Sequence, residues 1–267
     1  MLHLLKIDLR KMTSYRTFWV ICGIYFFTLI VGAASGMELL KAISRFFEGF
    51  GQQINITRIP LYHFPDIWQN LAWSGGLLKM GLAIMVVVSI TNEFTYRTIR
   101  QNIIDGMSRE EFLLSKVYTN FMLSAISMVS VFVIALVTGG IYSPELDFPF
   151  GLSGIGFYPA YFLEVFAFLS FALMLGIFVN RSGLTIVLLL FSYLIELIIK
   201  ENLDDYWPGI IPFFPLESIM NLVPMPFARY VFMEIQDKVN WGSVAIAAVW
   251  AVCFNYFAYL KLKRSDI

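Results

Sequence analysis

Long apolar runs separated by short polar segments dominate the sequence. Six of these runs are close to the ~20 residues that cross ~30 Å of hydrocarbon as a helix. The first, third and sixth contain no charged residue. The pattern predicts an all-α membrane protein with six transmembrane helices, forming a single domain over residues 1–267. The predicted spans are 17–34, 71–92, 117–139, 157–179, 183–199 and 241–260.

Composition supports a bilayer environment. Hydrophobic residues make up 58% of the chain and charged residues only 14%, whereas about a quarter of the residues in soluble proteins are charged. Cys22 and Cys253 both lie in apolar runs, so no disulfide framework is expected. The charged first ~16 residues do not fit a cleavable signal peptide, and the first span is expected to be retained.

The basic residues are distributed unequally between the two sides of the predicted bundle. Twelve of the nineteen Lys and Arg residues fall on the side that carries both termini. Because positively charged loops remain in the cytoplasm, both termini are predicted to be cytoplasmic, in a bacterial cytoplasmic (inner, plasma) membrane. The twelve are Lys6, Arg10, Lys11, Arg16, Arg97, Arg100, Arg109, Lys116, Arg181, Lys261, Lys263 and Arg264.

The segment before the first span has an amphipathic pattern. Its apolar residues recur at helical spacing and its polar residues occupy another face, which is typical of a helix lying in the headgroup plane. A simple orienting signal is the alternative explanation. The apolar face comprises Leu2, Leu5, Leu9 and Met12, and the polar face His3, Lys6 and Arg10.

Residues 93–116, called the hairpin below, are the most structured polar stretch of the sequence. Gly106 suits a left-handed cap at the end of one helix, and Ser108 with Glu111 forms an S-x-x-E capping box that starts the next. The hairpin should therefore be rigid. A rigid, mixed-charge projection suits docking on a cytoplasmic partner, because little ordering cost remains on association. A solvated connection between two spans is the alternative.

The hairpin resembles the coupling-helix region of ABC-2 type transporter permeases. The resemblance rests on Glu93, on Arg97-Thr98-Ile99-Arg100-Gln101, on the Gly-x-Ser-Arg of residues 106–109 and on Lys116. The six-span layout, an interfacial helix before the first span and a large outer segment before the last are similar too, as in type V exporter-like domains. The family's usual Gly-Thr pair is replaced here by Arg97-Thr98.

This resemblance implies a permease subunit that moves a substrate across the membrane by ATP-driven alternating access. The implied direction of transport is export. A separate ATP-binding subunit would bind ATP and Mg²⁺, and a second permease copy, identical or related, would complete the path within membrane lipids. No cofactor is expected in this chain, and no nucleic acid partner. The residues implied to couple to the ATPase subunit are Glu93, Arg97, Arg100, Gly106, Ser108, Arg109 and Glu111.

The outer segment 207–235 is strongly apolar but cannot form a regular spanning helix. It contains five prolines, and each removes a backbone hydrogen-bond donor. We expect an interfacial or re-entrant segment. The resemblance implies an outer gate at this place.

Three charged residues, Lys79, Glu164 and Glu196, lie inside apolar runs. A charge at the centre of a bilayer costs ~3 kcal/mol, so these side chains should pair, reach the interface or line a water-filled path. Lys200 lies four residues after Glu196 and is positioned for a local helical pair. The sequence leaves open whether the three belong to a translocation path or to structural ion pairs.

No ATP-binding G-x-x-x-x-G-K-[ST] motif and no H-E-x-x-H metal motif occur, and His3 and His63 are the only histidines. We therefore expect neither an enzyme nor a metal site. An ion- or proton-coupled carrier that uses Glu164 and Glu196 is the alternative function. An enzyme acting on lipid, with Asp66 or Asp147 as its acid, is a third hypothesis.

Overall fold

The computed structural model describes residues 2–48, 62–143, 152–204, 206–226 and 238–265, and within the first range it describes the side chains of residues 8–36. Every regular element in these ranges is a helix, and no strand occurs among them. Six of the helical stretches are long and apolar enough to cross a membrane. The predicted all-helical fold with six stretches long and apolar enough to span a membrane is therefore confirmed.

The helices alternate between short connections, as between α7 and α8, and longer ones, as between α2 and α3. A 3-10 helix over Pro208–Phe213 precedes α9. The α-helices are α1 Leu2–Ser14, α2 Arg16–Glu48, α3 Ile67–Leu77, α4 Lys79–Thr95, α5 Thr98–Ile104, α6 Arg109–Tyr142, α7 Phe157–Val179, α8 Ser182–Asp204, α9 Pro215–Met220 and α10 Trp241–Lys263.

Helix α7 is the centre of the bundle and packs against α3, α4, α6, α8, α9 and α10. Within an 18-residue apolar stretch of each span, 56% of the residues are buried in α7 and likewise in α3–α4. The corresponding share in α2 and in α8 is 17%. A helix that is apolar on all sides suits this central position, because every face meets protein or lipid. Helices α2 and α8 thus lie at the periphery.

Three hydroxyl groups connect α2 to this centre. The Ser127 Oγ atom lies 2.6 Å from the Tyr25 hydroxyl and 2.7 Å from the Tyr161 hydroxyl, and all three side chains are buried. Hydrogen bonding satisfies hydroxyls that would otherwise be costly to bury. The network joins α2, α6 and α7.

Two helical stretches extend beyond the predicted spans 17–34 and 71–92, which lie within the apolar stretches Arg16–Gly36 and Ile67–Thr95. Helix α2 continues to Glu48, well beyond residue 34, because the sequence after Gly36 consists largely of good helix formers and contains no proline. The second span begins at Ile67 and is divided at Leu78 into α3 and α4. The consecutive glycines Gly75 and Gly76 lie directly before this break.

Helix α1, the end of α10 and the hairpin lie at the same end of the bundle. Helix α1 packs against α6 near its start. The Arg109 guanidinium donates hydrogen bonds of 3.0 and 2.7 Å to the carbonyl oxygens of Leu262 and Lys263, at the end of α10. The Tyr259 hydroxyl donates to Glu110 at 2.7 Å. This end is called the hairpin end below.

At the opposite end, the described part of the 207–235 segment folds into the 3-10 helix and α9. Four of its apolar side chains are buried against the bundle, namely Leu216, Ile219, Leu222 and Val223. The indole nitrogen of Trp250 donates to the carbonyl oxygen of Phe213 at 2.8 Å, and the Gln69 amide donates to that of Pro224 at 3.0 Å. No spanning helix forms within residues 206–226, as the prolines predicted. Residues 227–235 lie outside the described residues.

Candidate functional site

The hairpin has the predicted helix-turn-helix form. Helix α4 ends at Thr95, α5 occupies Thr98–Ile104, and α6 starts at Arg109. Helix α6 contains 34 residues and is therefore about 51 Å long, well beyond the ~30 Å hydrocarbon layer. Its first turn follows the turn of the hairpin directly, so the hairpin is continuous with this long helix.

Both predicted caps of the hairpin are present. Gly106 has a φ of +99°, and its amide donates to the carbonyl oxygen of Ile103, while the Met107 amide donates to that of Asn102. These two bonds form a Schellman motif at the end of α5. The Ser108 hydroxyl accepts from the Glu111 amide at 3.1 Å, and the Glu111 carboxylate accepts from the Ser108 amide at 2.8 Å. The capping box is therefore confirmed.

Arg97, between α4 and α5, has a left-handed backbone with φ 54° and ψ 24°. Glycine adopts this conformation without penalty, whereas other L-residues are strained in it by about 1–2 kcal/mol. This is the position where the resembling permeases have the glycine of their Gly-Thr pair.

The tip of the hairpin presents a mixed surface. Tyr96 and Ile104 are 65% and 77% exposed. Arg97, Arg100, Gly106, Ser108 and Glu111 are also exposed, so they can be reached by a partner. Arg109 is half-buried, because its guanidinium holds the end of α10. Glu93 is only 6% exposed and faces the interior.

Glu93 belongs to a buried charge cluster beneath the hairpin, called the hairpin-end cluster below. The Lys116 ammonium donates to Glu93 Oε1 at 2.6 Å and also pairs with Asp8 Oδ1. The second oxygen of Asp8 accepts from the Thr119 hydroxyl at 2.6 Å. The second oxygen of Glu93 lies 3.5 Å from the Lys11 ammonium. Two carboxylates thus share Lys116 across α1, α4 and α6.

The cluster also reaches α5. Thr98 donates to Glu93 Oε2 at 3.1 Å, and the Asn102 amide donates to the same oxygen at 3.4 Å. Lys11 donates to the Asn102 side-chain oxygen at 3.1 Å. The orientation of α5 is therefore fixed by side chains from α1 and α4. This contact explains how a helix of seven residues is held in place.

Sequence reasoning did not identify Asp8 as part of this cluster. A signal was present, because Asp8 lies three residues after Leu5 and four before Met12, on the apolar face of α1. In the structure Asp8 and Met12 are each 3% exposed, while Arg10 is exposed. The side chains of His3 and Lys6 lie outside the described residues.

The charges within the spans are found at the other end of the bundle. Lys79 donates to Glu164 Oε1 at 2.5 Å, and both side chains are buried. Glu196 accepts backbone hydrogen bonds from Leu216 at 2.9 Å and Glu217 at 2.5 Å, at the start of α9. Lys79 and Glu164 are called the cleft pair below.

The predicted local pair between Glu196 and Lys200 was wrong. The Lys200 ammonium pairs with the Glu217 carboxylate of α9. Helix α9 folds back against α8, so Glu217 is closer than the residue one turn away, and the amides of α9 occupy the oxygens of Glu196. Asp66 is half-buried at the start of α3, and Asp147 lies outside the described residues.

Comparison with protein families places residues 56–267 in DUF2705, a family described as a protein of unknown function. The matched range contains the hairpin, Lys116 and the cleft pair, and it begins after α2, so that Asp8 and Lys11 precede it. Comparison with curated proteins gives no match. Since the family model covers more than half of the sequence, the chain belongs to the DUF2705 family.

Proposed function

We propose that this chain is the permease subunit of an ATP-binding cassette transporter of the ABC-2 type, with both termini in the cytoplasm. The main observation in support is the rigid hairpin with an exposed tip at the end that carries both termini. The excess of basic residues supports a cytoplasmic position for this end. The left-handed backbone at Arg97, where the resembling permeases have glycine, supports the same assignment.

The geometry suggests how movement of the hairpin would reach the spans. A force on α5 is transmitted to α4, α6 and α1 through the hairpin-end cluster, because Glu93 and Lys116 contact all four helices between them. Helix α6 then carries the displacement along about 51 Å to the opposite end. Closure of an ATPase dimer would thus move the outer end through a stiff element.

The peripheral helices and the proline-rich outer segment also fit the proposed transporter. The sparsely buried helices α2 and α8 leave faces for a second permease copy and for lipid. The proline-rich 3-10 helix and α9 would form a re-entrant outer gate, fixed to α8 by Glu196 and Lys200. ATP and Mg²⁺ would bind to the partner subunit, and the direction of transport would be export.

A coupled secondary carrier is the second candidate. The observation in its favour is the cleft pair, a buried carboxylate that could exchange a proton with its lysine. Glu196 does not support this mechanism, because its oxygens are occupied by the backbone of α9. The variant Glu164→Gln distinguishes the two candidate functions. A coupled carrier should lose transport, because it requires a titratable group at this position, whereas an ATP-driven permease should retain it.

Site-specific cross-linking tests the proposal. A cysteine at Ile104, which is 77% exposed, would be placed at the tip of the hairpin in a chain with Cys22→Ser and Cys253→Ser. We expect cross-linking in native membranes to a protein with an ATP-binding motif, and ATP hydrolysis by the purified complex. The matched control is a cysteine at Trp207, 62% exposed at the other end, which should give no such product.

The orientation is tested with the same variants. A membrane-impermeant thiol reagent applied to intact cells should label the cysteine at residue 207 and leave the one at residue 104 unlabelled. Labelling of residue 104 from outside would refute the proposed coupling role. Cross-linking of both positions to the same ATPase would refute it as well.

A further inference from the structure

A cleft of about 400 Å³ lies between the α3–α4 break, α7, α8 and α9, at the end opposite the hairpin. Its volume is in the range of small-molecule binding sites. The walls are mainly apolar and aromatic, with Trp73, Phe168, Leu194 and Met220 among them. Lys79 and Glu164 form its polar floor. Glu196, Lys200 and Glu217 line the cleft as well, so its mainly apolar wall carries charged groups beyond the floor.

The cleft opens sideways between helices. Leu77 and Leu194, on either side of it, are 62% and 51% exposed, and α8 is one of the least buried spans. In a membrane, such surfaces of spanning helices face lipid or another protein. A molecule dissolved in the bilayer can therefore reach the cleft without first crossing water.

One polar atom on the cleft floor has no partner. Glu164 Oε1 accepts the hydrogen bond from Lys79, whereas Glu164 Oε2 is buried and has no hydrogen-bond partner among the residues that the structure describes. The carboxylate lies against Gly76, where an added Cβ would be 2.7 Å from Oε1. An unpaired carboxylate oxygen is costly to bury. This oxygen therefore favours a ligand that donates a hydrogen bond.

The charges around the cleft favour a positive ligand. Three carboxylates, those of Glu164, Glu196 and Glu217, and only two ammonium groups, those of Lys79 and Lys200, line it. The balance is negative. The Lys79 ammonium lies over the Phe168 ring, 5.4 Å from its centroid, so the aromatic wall of the cleft accommodates a cation.

We infer that this cleft binds an amphiphile with a protonated amine as its head group, which donates to Glu164 Oε2 while its apolar chain lies along α8. The unpartnered carboxylate oxygen, the negative charge balance and the lateral opening into an apolar wall all fit this chemistry. Identification of this amphiphile as cargo rests on the proposed function. Binding itself requires only this chain.

Photolabelling of the purified chain tests the inference without any ATPase subunit. The probes are dodecylamine, dodecanol and dodecyl sulfate, each with the same photoreactive group on the chain, and the protein is embedded in phosphatidylcholine nanodiscs. We expect the amine probe to label α8 and α9 near Leu194 and Met220 at least about tenfold more than the sulfate probe. Glu110→Gln, at the hairpin end, is the matched control and should change nothing.

Charge variants give the sharpest readout. Glu164→Gln removes the accepting carboxylate and makes the lining neutral, with two carboxylates and two ammonium groups, so the preference for the amine over the sulfate probe should be lost. If this variant does not fold, Lys79→Met combined with Glu164→Gln should lower the preference for the amine, because the accepting carboxylate is gone while Glu196, Glu217 and Lys200 keep the net charge of the lining unchanged. Leu194→Trp, at a half-exposed position, should block labelling by filling the cleft.

Equal labelling by the three probes, or an undiminished preference for the amine in the double variant, would overturn the inference. Labelling away from α8 and α9 would overturn it too. None of these outcomes affects the cross-linking at Ile104. A failed hairpin cross-link with amine labelling intact would instead refute the transporter proposal and leave the binding site.

Discussion

The hairpin-end cluster and the cleft pair are both buried groups of lysine and carboxylate, but their hydrogen bonding differs. In the hairpin-end cluster, both oxygens of Asp8 and both oxygens of Glu93 have partners. In the cleft pair, one oxygen of Glu164 has none among the described residues. The first group is closed by four helices, and the second borders a cleft of about 400 Å³.

This difference indicates different uses of similar chemistry. A fully satisfied network permits one geometry, because any displacement leaves a buried charge unpaired. It suits a place where force is transmitted. An incompletely satisfied pair beside a cleft can accept a ligand atom or water without losing an existing bond. It suits a place where something binds.

Lys116→Met should give the largest effect, because it leaves two buried carboxylates without their cation. We expect a loss of about 3–5 kcal/mol in the free energy of unfolding. Proteolysis in nanodiscs and thermal unfolding would measure it. Lys261→Met, a lysine at the same end that contacts the Phe178 ring, is the control and should have little effect. Equal losses of stability in both variants would refute the conclusion that the hairpin-end cluster holds the four helices together.

Lys79→Met should cost less, about 1–3 kcal/mol, because only one carboxylate loses its partner and the cleft allows water to reach it. The same thermal unfolding assay applies. The double variant Lys79→Met with Glu164→Gln should recover most of the lost stability, since neither residue of the cleft pair then carries a charge. A loss as large as that of Lys116→Met would show that the two groups are equally closed, which contradicts the comparison.

Ser108→Ala removes one half of the capping box and should destabilise the hairpin by about 1 kcal/mol. Amide hydrogen exchange of residues 108–112 would detect the loss as faster exchange, with the cleft pair unaffected. Ser130→Ala, an exposed serine within α6, is the matched control. Unchanged exchange at residues 108–112 would argue against rigidity from this cap.

Arg97→Gly should produce the smallest change and one of opposite sign, a stabilisation of up to about 1 kcal/mol, because glycine adopts a positive φ without strain. Arg100→Gly, three residues later inside α5, should instead destabilise by up to about 1 kcal/mol. Thermal unfolding of the two variants side by side measures the difference. Destabilisation by both would mean that the Arg97 side chain contributes more than its backbone costs.

The local features of the hairpin could be predicted because they depend on neighbouring residues. Gly106 and the pair Ser108 and Glu111 formed the expected caps. The pairing of Lys200 was predicted wrongly, since its partner Glu217 comes from a helix that folds back over α8. Asp8 and Lys116 are 108 residues apart, and no local pattern connects them.

The sequence alone determined that the chain forms six membrane-spanning helices, because apolar length and the cost of unpaired backbone groups in lipid leave few alternatives. Tertiary structure decided which buried charges meet. Asp8 joins Glu93 at Lys116, and Glu164 keeps one oxygen unpaired beside a cleft. Helix packing sets these distances, and the energy of a buried charge depends on what lies within a few ångströms of it rather than on its position in the chain.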